Sequence, residues 1–404
     1  MHDHQPRHPA FILGARFPAL GTIHALAPRG VRCWVCDSRR LQAAWSRHAR
    51  YWHMPDPRDD ATGMVDRLIE LANNVGGRPV LIPTDDHYAQ ALAGHRAELE
   101  ARMILCVASS DVVELLIDQQ RFCQWGRAHG VSCPEAAPAH GPQLPLAPPV
   151  VAKPINFTNF LLTARNLPLG EKPSDLRFTL IHSEHEWQAF RRRYEPHLHK
   201  MVLQEYIHGN SADMFSIGIY ADRQARIRGV FVGRKVRGYP AQYGNTILGQ
   251  NDCVPADVIS EVERIVHQLG YTGIAEFEYR RDPAKGRFRL IEINPRCWSW
   301  IGATCMSKAD IPWIAYRDLC GISVDPVIEN EAPGSIKAVR VMSDMVNVFW
   351  RYRRDNPAWL MTPRAWWRSL AAKKLALVEF ERGDWLVSLF CFALLLRDII
   401  KNEH

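Results

Sequence analysis

The chain has 404 residues, 47% of them apolar and 23% charged, with 50 Lys/Arg against 43 Asp/Glu for a net charge of +7. That length excludes a single compact core and predicts two or three domains. The composition is ordinary for a soluble globular protein, and the mild positive excess suits a small anionic substrate as well as a nucleic acid.

Ten cysteines are scattered without a repeated spacing. The close pair Cys33 and Cys36 in "CWVCD" has no second pair or histidine cluster to complete a zinc site, so two half-buried strand residues are expected. Free thiols point to a reducing, cytoplasmic setting. The start "MHDHQPRHPA" lacks an apolar leader, and its His2, His4 and His8 read as a tail. The longest apolar run, "WLVSLFCFALLL", has 12 residues, against roughly 20 for a bilayer span.

In chain order, "FILGA" and "VRCWVCD" are short apolar runs with a helical pattern between them. "RPVLIPTDDHYAQAL" repeats strand then helix, with Thr84, Asp85 and Asp86 at the strand's carboxyl end, where α/β ligands gather. Helix capping explains Asp85 and Asp86 equally well. The alternation predicts a parallel α/β domain over 1–108. One helix is predicted for "SDVVELLIDQQRFCQWGRAHG", followed by a stretch in which Pro134, Pro138, Pro142, Pro145, Pro148 and Pro149 forbid regular structure. "VVAKP" reads as a strand ending on Lys153. From Met201, strands with interspersed helices predict an α+β region that carries the second domain, 109–325. The region 326–404 is basic, Trp-rich and mostly helical by pattern: five of the 13 tryptophans, 12 Lys/Arg and seven Asp/Glu fall there from Lys337 onward. Such a tail suits either a helical cover for the neighbouring domain or peripheral contact with a membrane surface. Motifs for base recognition are absent, so nucleic acid is not an expected partner.

The chemistry concentrates in "GIAEFEYR" and "RLIEINPRCWSW". Alternation along a strand puts Glu276 and Glu278 on one face, and Glu292 with Asn294 on one face of the next, while Ile291 and Ile293 take the other. The "RDPAKG" between them closes a hairpin. A tight closure with Asp282 opposite Gly286 pairs Glu276 with Glu292. Adjacent carboxylates repel, and a hard divalent cation such as Mg²⁺ or Mn²⁺ resolves that conflict while leaving coordination places for phosphate oxygens. Arg296 can then hold a phosphoryl oxygen. Lys153 needs an anion, "VLQEYIHGN" offers broken-strand backbone to a purine edge, Asp213 is placed for ribose hydroxyls, and "VGRKVRGYP" brings Lys235 and Arg237 toward phosphates.

These residues resemble the ATP-grasp superfamily, and more closely its carboxylate–amine ligase branch, over roughly residues 10–325. The likeness rests on "PVVAKP", "VLQEYIHGN", "GRKVRGYP", "GIAEFEY" and "LIEINPR". It implies a Rossmann-like pre-ATP-grasp domain joined to a two-subdomain ATP-grasp fold, with the helical C-terminal region appended. It further implies that Lys153 and Arg237 contact ATP phosphates and that Lys235 is catalytic together with Arg296; Gln204, Glu205, Tyr206 and Ile207 frame the adenine; and Asp213 meets the ribose. Glu276, Glu292 and Asn294 would ligate magnesium, with Glu278 the substitute if the register differs, and Arg296 would hold the acyl phosphate. The activity implied is ATP-dependent joining of a carboxylate to an amine, amino acids being the expected substrate type; a homodimer is one expected assembly. Substrate would enter near Asp85, Arg296 and "CWSW". Two departures stand out: Gln119 occupies the place where many members carry a lysine, and Gly170 is the single glycine of the usually glycine-rich loop after Lys153. A kinase, a ligase with a non-amine acceptor, or a nucleotide-binding module acting through the Trp-rich tail are the rival readings.

Overall fold

The computed structural model describes residues 8–163, 167, 171, 173–241, 244–283, 286–380 and 383–402. His2, His4 and Gly170 lie outside these residues. His8 turns its ring Nδ1 to the Arg78 carbonyl at 2.8 Å.

Five parallel strands form the first sheet: β1 (Ala10–Leu13), β2 (Cys33–Asp37), β3 (Ala49–His53), β4 (Val80–Pro83) and β5 (Ile104–Leu105), in the order β3-β2-β1-β4-β5. Every residue of β1, β2 and β4 is buried, the reason they read as unbroken apolar runs. Edge strand β3 is half exposed and lacks that signature. Burial pushes the Cys36 thiol up and Cys33 to about 12, so both stay protonated core residues. The helix predicted after this sheet is two helices, Ser110–Ile117 and Gln119–Ala128. Asp118 divides them: its extended backbone and its carboxylate, which accepts from the Arg121 amide, make it the N-cap of the second.

The second sheet holds β6 (Ala136–Pro138), β7 (Val150–Pro154), β8 (Thr179–Ile181) and β9 (Met201–Glu205), ordered β6-β9-β7-β8. Strand β6 lies inside the proline-rich stretch expected to be irregular. It is an edge strand, where proline's missing N–H is tolerated.

The third sheet has β10 (Met214–Ala221), β11 (Ile227–Tyr239), β12 (Asn245–Asn251), β13 (Gly273–Arg281), β14 (Phe288–Asn294), β15 (Val327–Ile328), β16 (Ile336–Val339) and β17 (Lys374–Leu377). Its order is β14-β13-β10-β11-β12-β16-β17, with β15 beside β11. The C-terminal region, expected as a helical appendage, therefore also continues this sheet through β16 and β17. Its Val348, Tyr352, Trp366 and Leu370 close a core with Leu248 and Val339.

The first and third sheets share two cores. One packs Phe11, Leu13 and Leu81 with Phe215, Ile217 and Phe277. The other joins Ile12 and Val35 to Tyr220, Phe231, Trp298 and Trp300. "CWSW" is thus a wedge between the first and third sheets. Its indoles lie flat enough on the sheet that a Cβ at Gly218 would stand 2.1 Å from Trp298, and one at Gly233 2.1 Å from Trp300. Glycine in a strand usually marks such a close approach.

Candidate active site

The hairpin β13–β14 closes in a register different from the tight one expected. Glu276 faces Asn294 and Glu278 faces Glu292, after which Tyr279 faces Leu290. Ile291 is the extra residue of a bulge, which breaks the strict alternation. Ile293 is buried in the core as expected, but Ile291 lines a cavity instead. Glu278, expected only as a substitute ligand, is the carboxylate directly across from Glu292, where facing Cβ atoms stand roughly 4.5–5.5 Å apart.

That cavity, about 120 Å³, lies between the second and third sheets. Lys153, Lys235, Glu278 and Glu292 line one part of it, and Gln204, Glu205, Tyr206 and Ile207 another. Lys153 and Glu292 also line an adjoining cavity of about 110 Å³ that ends at Asn294, Arg296 and Asp86. A third, of about 390 Å³, shares Asp86, Arg177 and Arg296 with the second and opens toward the carboxyl ends of β1, β2 and β4.

The electrostatics are those of a site built for more charge than it holds. Burial and the neighbouring Glu278 raise Glu276 to about 8, against the pull of Arg296 and a hydrogen bond from Ser216 at 2.8 Å. Burial and Glu278 raise Glu292 as well, with Lys153 opposing. Glu278 goes the other way: burial disfavours its charge, but Lys235, Arg296 and Arg177 more than offset that. Lys235 Nζ stands 3.4 Å from Glu278 Oε2. Burial lowers Lys153, with Glu292 opposing. For Arg296, burial works against the charge while Asp86, Glu276, Asp85 and Glu292 outweigh it and raise the group. Asp86 accepts from Arg296 Nε at 3.0 Å.

Asn294 ties the cluster together. Its Nδ2 donates to Glu276 Oε2 at 3.1 Å and Glu278 Oε1 at 3.4 Å, and its Oδ1 accepts from Arg296 Nη2 at 3.0 Å. Among the described residues no group of three His, Cys, Asp or Glu is gathered tightly enough to hold a metal on its own. The donor set nevertheless fits magnesium arriving with a nucleotide: hard oxygens, few from protein, the rest from phosphate. Glu278 and Glu292 line the 120 Å³ cavity, Glu292 and Asn294 the adjoining one, and Glu276 is buried against Asn294.

No family model matches the chain. A D-aspartate ligase of Enterococcus faecium (strain Aus0004) is 26% identical over 248 residues, which span 57% of this chain and 57% of that protein. The N5-carboxyaminoimidazole synthetase of Staphylococcus aureus, solved with ADP, superposes with a TM-score of 0.60 at 14% identity, covering 88% of each chain. The L-amino acid ligase of Bacillus licheniformis does so with a TM-score of 0.58 at 14% identity, covering 77% of this chain and 74% of that one. The chain has the ATP-grasp fold.

Within that ATP-grasp frame, two residues expected at the nucleotide lie elsewhere. Arg237 is buried on the side of the C-terminal helices, where its guanidinium meets Asp344 at 2.8 and 2.5 Å. Register shifts on either side of Arg237 in β11 break the alternation that would have put it beside Lys235. Asp213 is absent from the cavity walls; it closes a capping box with Asn210 and pairs with Arg281 at 3.4 Å. Glu205 lines the cavity while its carboxylate is held by Arg289 at 3.0 Å and the Glu135 amide at 3.1 Å. The Ile207 carbonyl accepts from Arg280 Nη1 at 3.0 Å, a contact no motif signalled. Arg177, which lines all three cavities, also escaped sequence reasoning because a 3₁₀ turn far from any motif delivers it. Gln119 lines the 110 Å³ cavity beside Lys153, its Oε1 accepting from Lys153 Nζ at 2.8 Å. Asp85 makes no capping hydrogen bond and instead faces Arg16 and His87, each at 4.0 Å, on the 390 Å³ cavity.

Proposed function

We propose that this ATP-grasp chain is an ATP- and magnesium-dependent ligase that activates a substrate carboxylate as an acyl phosphate and joins it to an amine, with amino acids as the substrate type. One observation carries the reading: a single cavity is walled by two lysines, two facing carboxylates and the strand-end segment Gln204–Ile207. The names of its relatives, a D-aspartate ligase and an L-amino acid ligase, agree.

In this reading Tyr206 and Ile207 flank the base, and Lys153 and Lys235 hold phosphate oxygens. Glu278 and Glu292, backed by Glu276 and Asn294, hold magnesium, which neutralises phosphate charge when bound. Arg296, fixed by Asp86, orients the attacking carboxylate. The carboxylate oxygen bonds to the γ-phosphorus as the bond to ADP breaks. The amine then adds to the acyl carbon, phosphate leaves, and the amine gives up a proton. The protein's share is positioning and charge stabilisation. Gln119 lets Lys153 be held by a neutral amide where a second lysine would repel it. Screening acid–amine pairs for ADP formation tests the proposal. Release only with acid, amine and magnesium together is expected; ATP binding with no release across the panel overturns it.

The C-terminal surface supports a second reading, peripheral contact with an anionic bilayer. The Trp385–Asn402 helix packs Val387 and Cys391 inward, yet Trp385, Leu389, Phe392 and Leu396 form an exposed stripe at helical spacing. Trp350 and Trp367 are each 69% exposed, beside exposed Arg353, Arg354, Arg364 and Arg368, whereas the acids whose side chains are described after Lys337, Asp344, Glu379 and Asp384, are buried. Two copies meeting through this face would oppose like charges, while an acidic membrane complements them. Among the described residues no helix is long and apolar enough to cross a membrane. The intact protein should sediment with phosphatidylglycerol-containing vesicles and lose that on Leu389→Glu with Phe392→Glu; equal recovery with pure phosphatidylcholine refutes the charge argument.

A further inference from the structure

Arg340 closes β16's path into the C-terminal region, outside the stretch that carries the ATP-grasp motifs. It nonetheless lines the 390 Å³ cavity with Arg16, Asp85 and Arg296. Its guanidinium carbon sits 4.2 Å from the centre of the Phe17 ring, and its Nη2 donates to Ser343 Oγ at 3.2 Å. Its Nε is buried without a hydrogen-bond partner, as is Gln42 Oε1 on the same cavity wall. Among the described residues no carboxylate comes within 4.0 Å of it. The charged groups facing it are Glu379 and Arg16. Glu379 is raised by burial to about 7 even beside Arg340, so it neutralises the guanidinium only in part. Arg237 and Arg296 are each matched by a named aspartate. Arg340 is thus a half-buried cation on a cavity wall with no carboxylate paired to it, a setting that suits an anion.

Arg296 lines both this cavity and the adjoining phosphate-side one, whereas Asp85 and Arg340 line the outer cavity alone, with Arg16, Arg39 and Arg58 on the same wall. We infer that Arg340 binds a second carboxylate of the substrate, so that the site takes a dicarboxylic amino acid: one carboxylate at Arg296 for activation, the ammonium at Asp85, the other carboxylate at Arg340. This rests on the ligase reading and deepens it. It gives the C-terminal region a share in the substrate pocket through β16.

The test titrates the intact protein calorimetrically with D- and L-aspartate and with D- and L-alanine, and follows ADP release with hydroxylamine as the amine. Wild type should bind one aspartate at least tenfold more tightly than the matching alanine. Arg340→Gln should weaken aspartate binding by roughly tenfold to a hundredfold while alanine and ATP affinities stay within about twofold. Arg340→Lys should recover part of the loss. The inference is overturned if wild type favours neither aspartate over alanine, or if Arg340→Gln binds aspartate as wild type does. Arg340-dependent binding of aspartate without any ADP release would uphold the inference and defeat the ligase reading instead.

Discussion

Glu292→Gln should release ADP at least about 10³-fold more slowly than wild type at saturating magnesium, while retaining its fold and its metal-free affinity for ATP. The substitution keeps the side chain's shape and removes only charge. Glu292 faces Glu278 across the hairpin and, alone among the three carboxylates on the 120 Å³ cavity wall, also lines the adjoining cavity, a position that Glu276, buried off both walls, does not duplicate. Turnover within about tenfold of wild type would remove the hairpin from the metal site. The same assay read against pH carries a corollary. Glu276, at about 8, holds its proton at neutral pH, and a cation entering the cluster must displace it. Magnesium affinity should therefore rise with pH up to about 8, by as much as about tenfold per unit, and level off above; Glu276→Gln should flatten the rise. An affinity that falls over this range would contradict the assignment.

Asp344→Ala should cost about 3–5 kcal/mol of stability, read as a shift in the denaturant midpoint. Asp344 and Arg237 have side chains 0% and 2% exposed and meet through two hydrogen bonds, with the Trp366 indole donating to the same carboxylate at 2.8 Å. Truncation strands a cation and an N–H in the core that joins β12 and β16 to the C-terminal helices. Replacing both partners, Arg237→Met with Asp344→Leu, should restore most of the loss because no buried charge remains. Were Arg237 a phosphate ligand instead, Arg237→Met alone would stop ADP release and leave the midpoint unmoved.

What the sequence disclosed follows from which interactions are local. "GIAEFEY" and "LIEINPR" announced paired strands bearing oxygen ligands because a two-residue period and a Pro/Gly turn are contained in a few residues. The register was hidden, since a bulge inserts one residue and its position is decided by packing. The same kind of irregularity in β11 misled the placement of Arg237. Lys153, Lys235 and Glu292 line one cavity, whereas Arg177 and Arg340 arrive from segments with no signature, brought in only by tertiary structure. Strands β16 and β17 were missed for a related reason: four residues each, with one lysine apiece, they look no different from loop until a neighbour pairs with them.

That pairing bears on how the chain can be cut. Leu248, Gly249 and Gln250 of β12 hydrogen-bond their outer edge to β16, and β16 in turn to β17. A fragment trimmed at residue 325, where the motif-bearing part stops, would leave a seven-residue strand with a raw, sticky margin, ready to zip onto its twin. The last fifth of the polypeptide thus serves the whole as a selvedge, keeping the fabric of the third sheet from unravelling into aggregates.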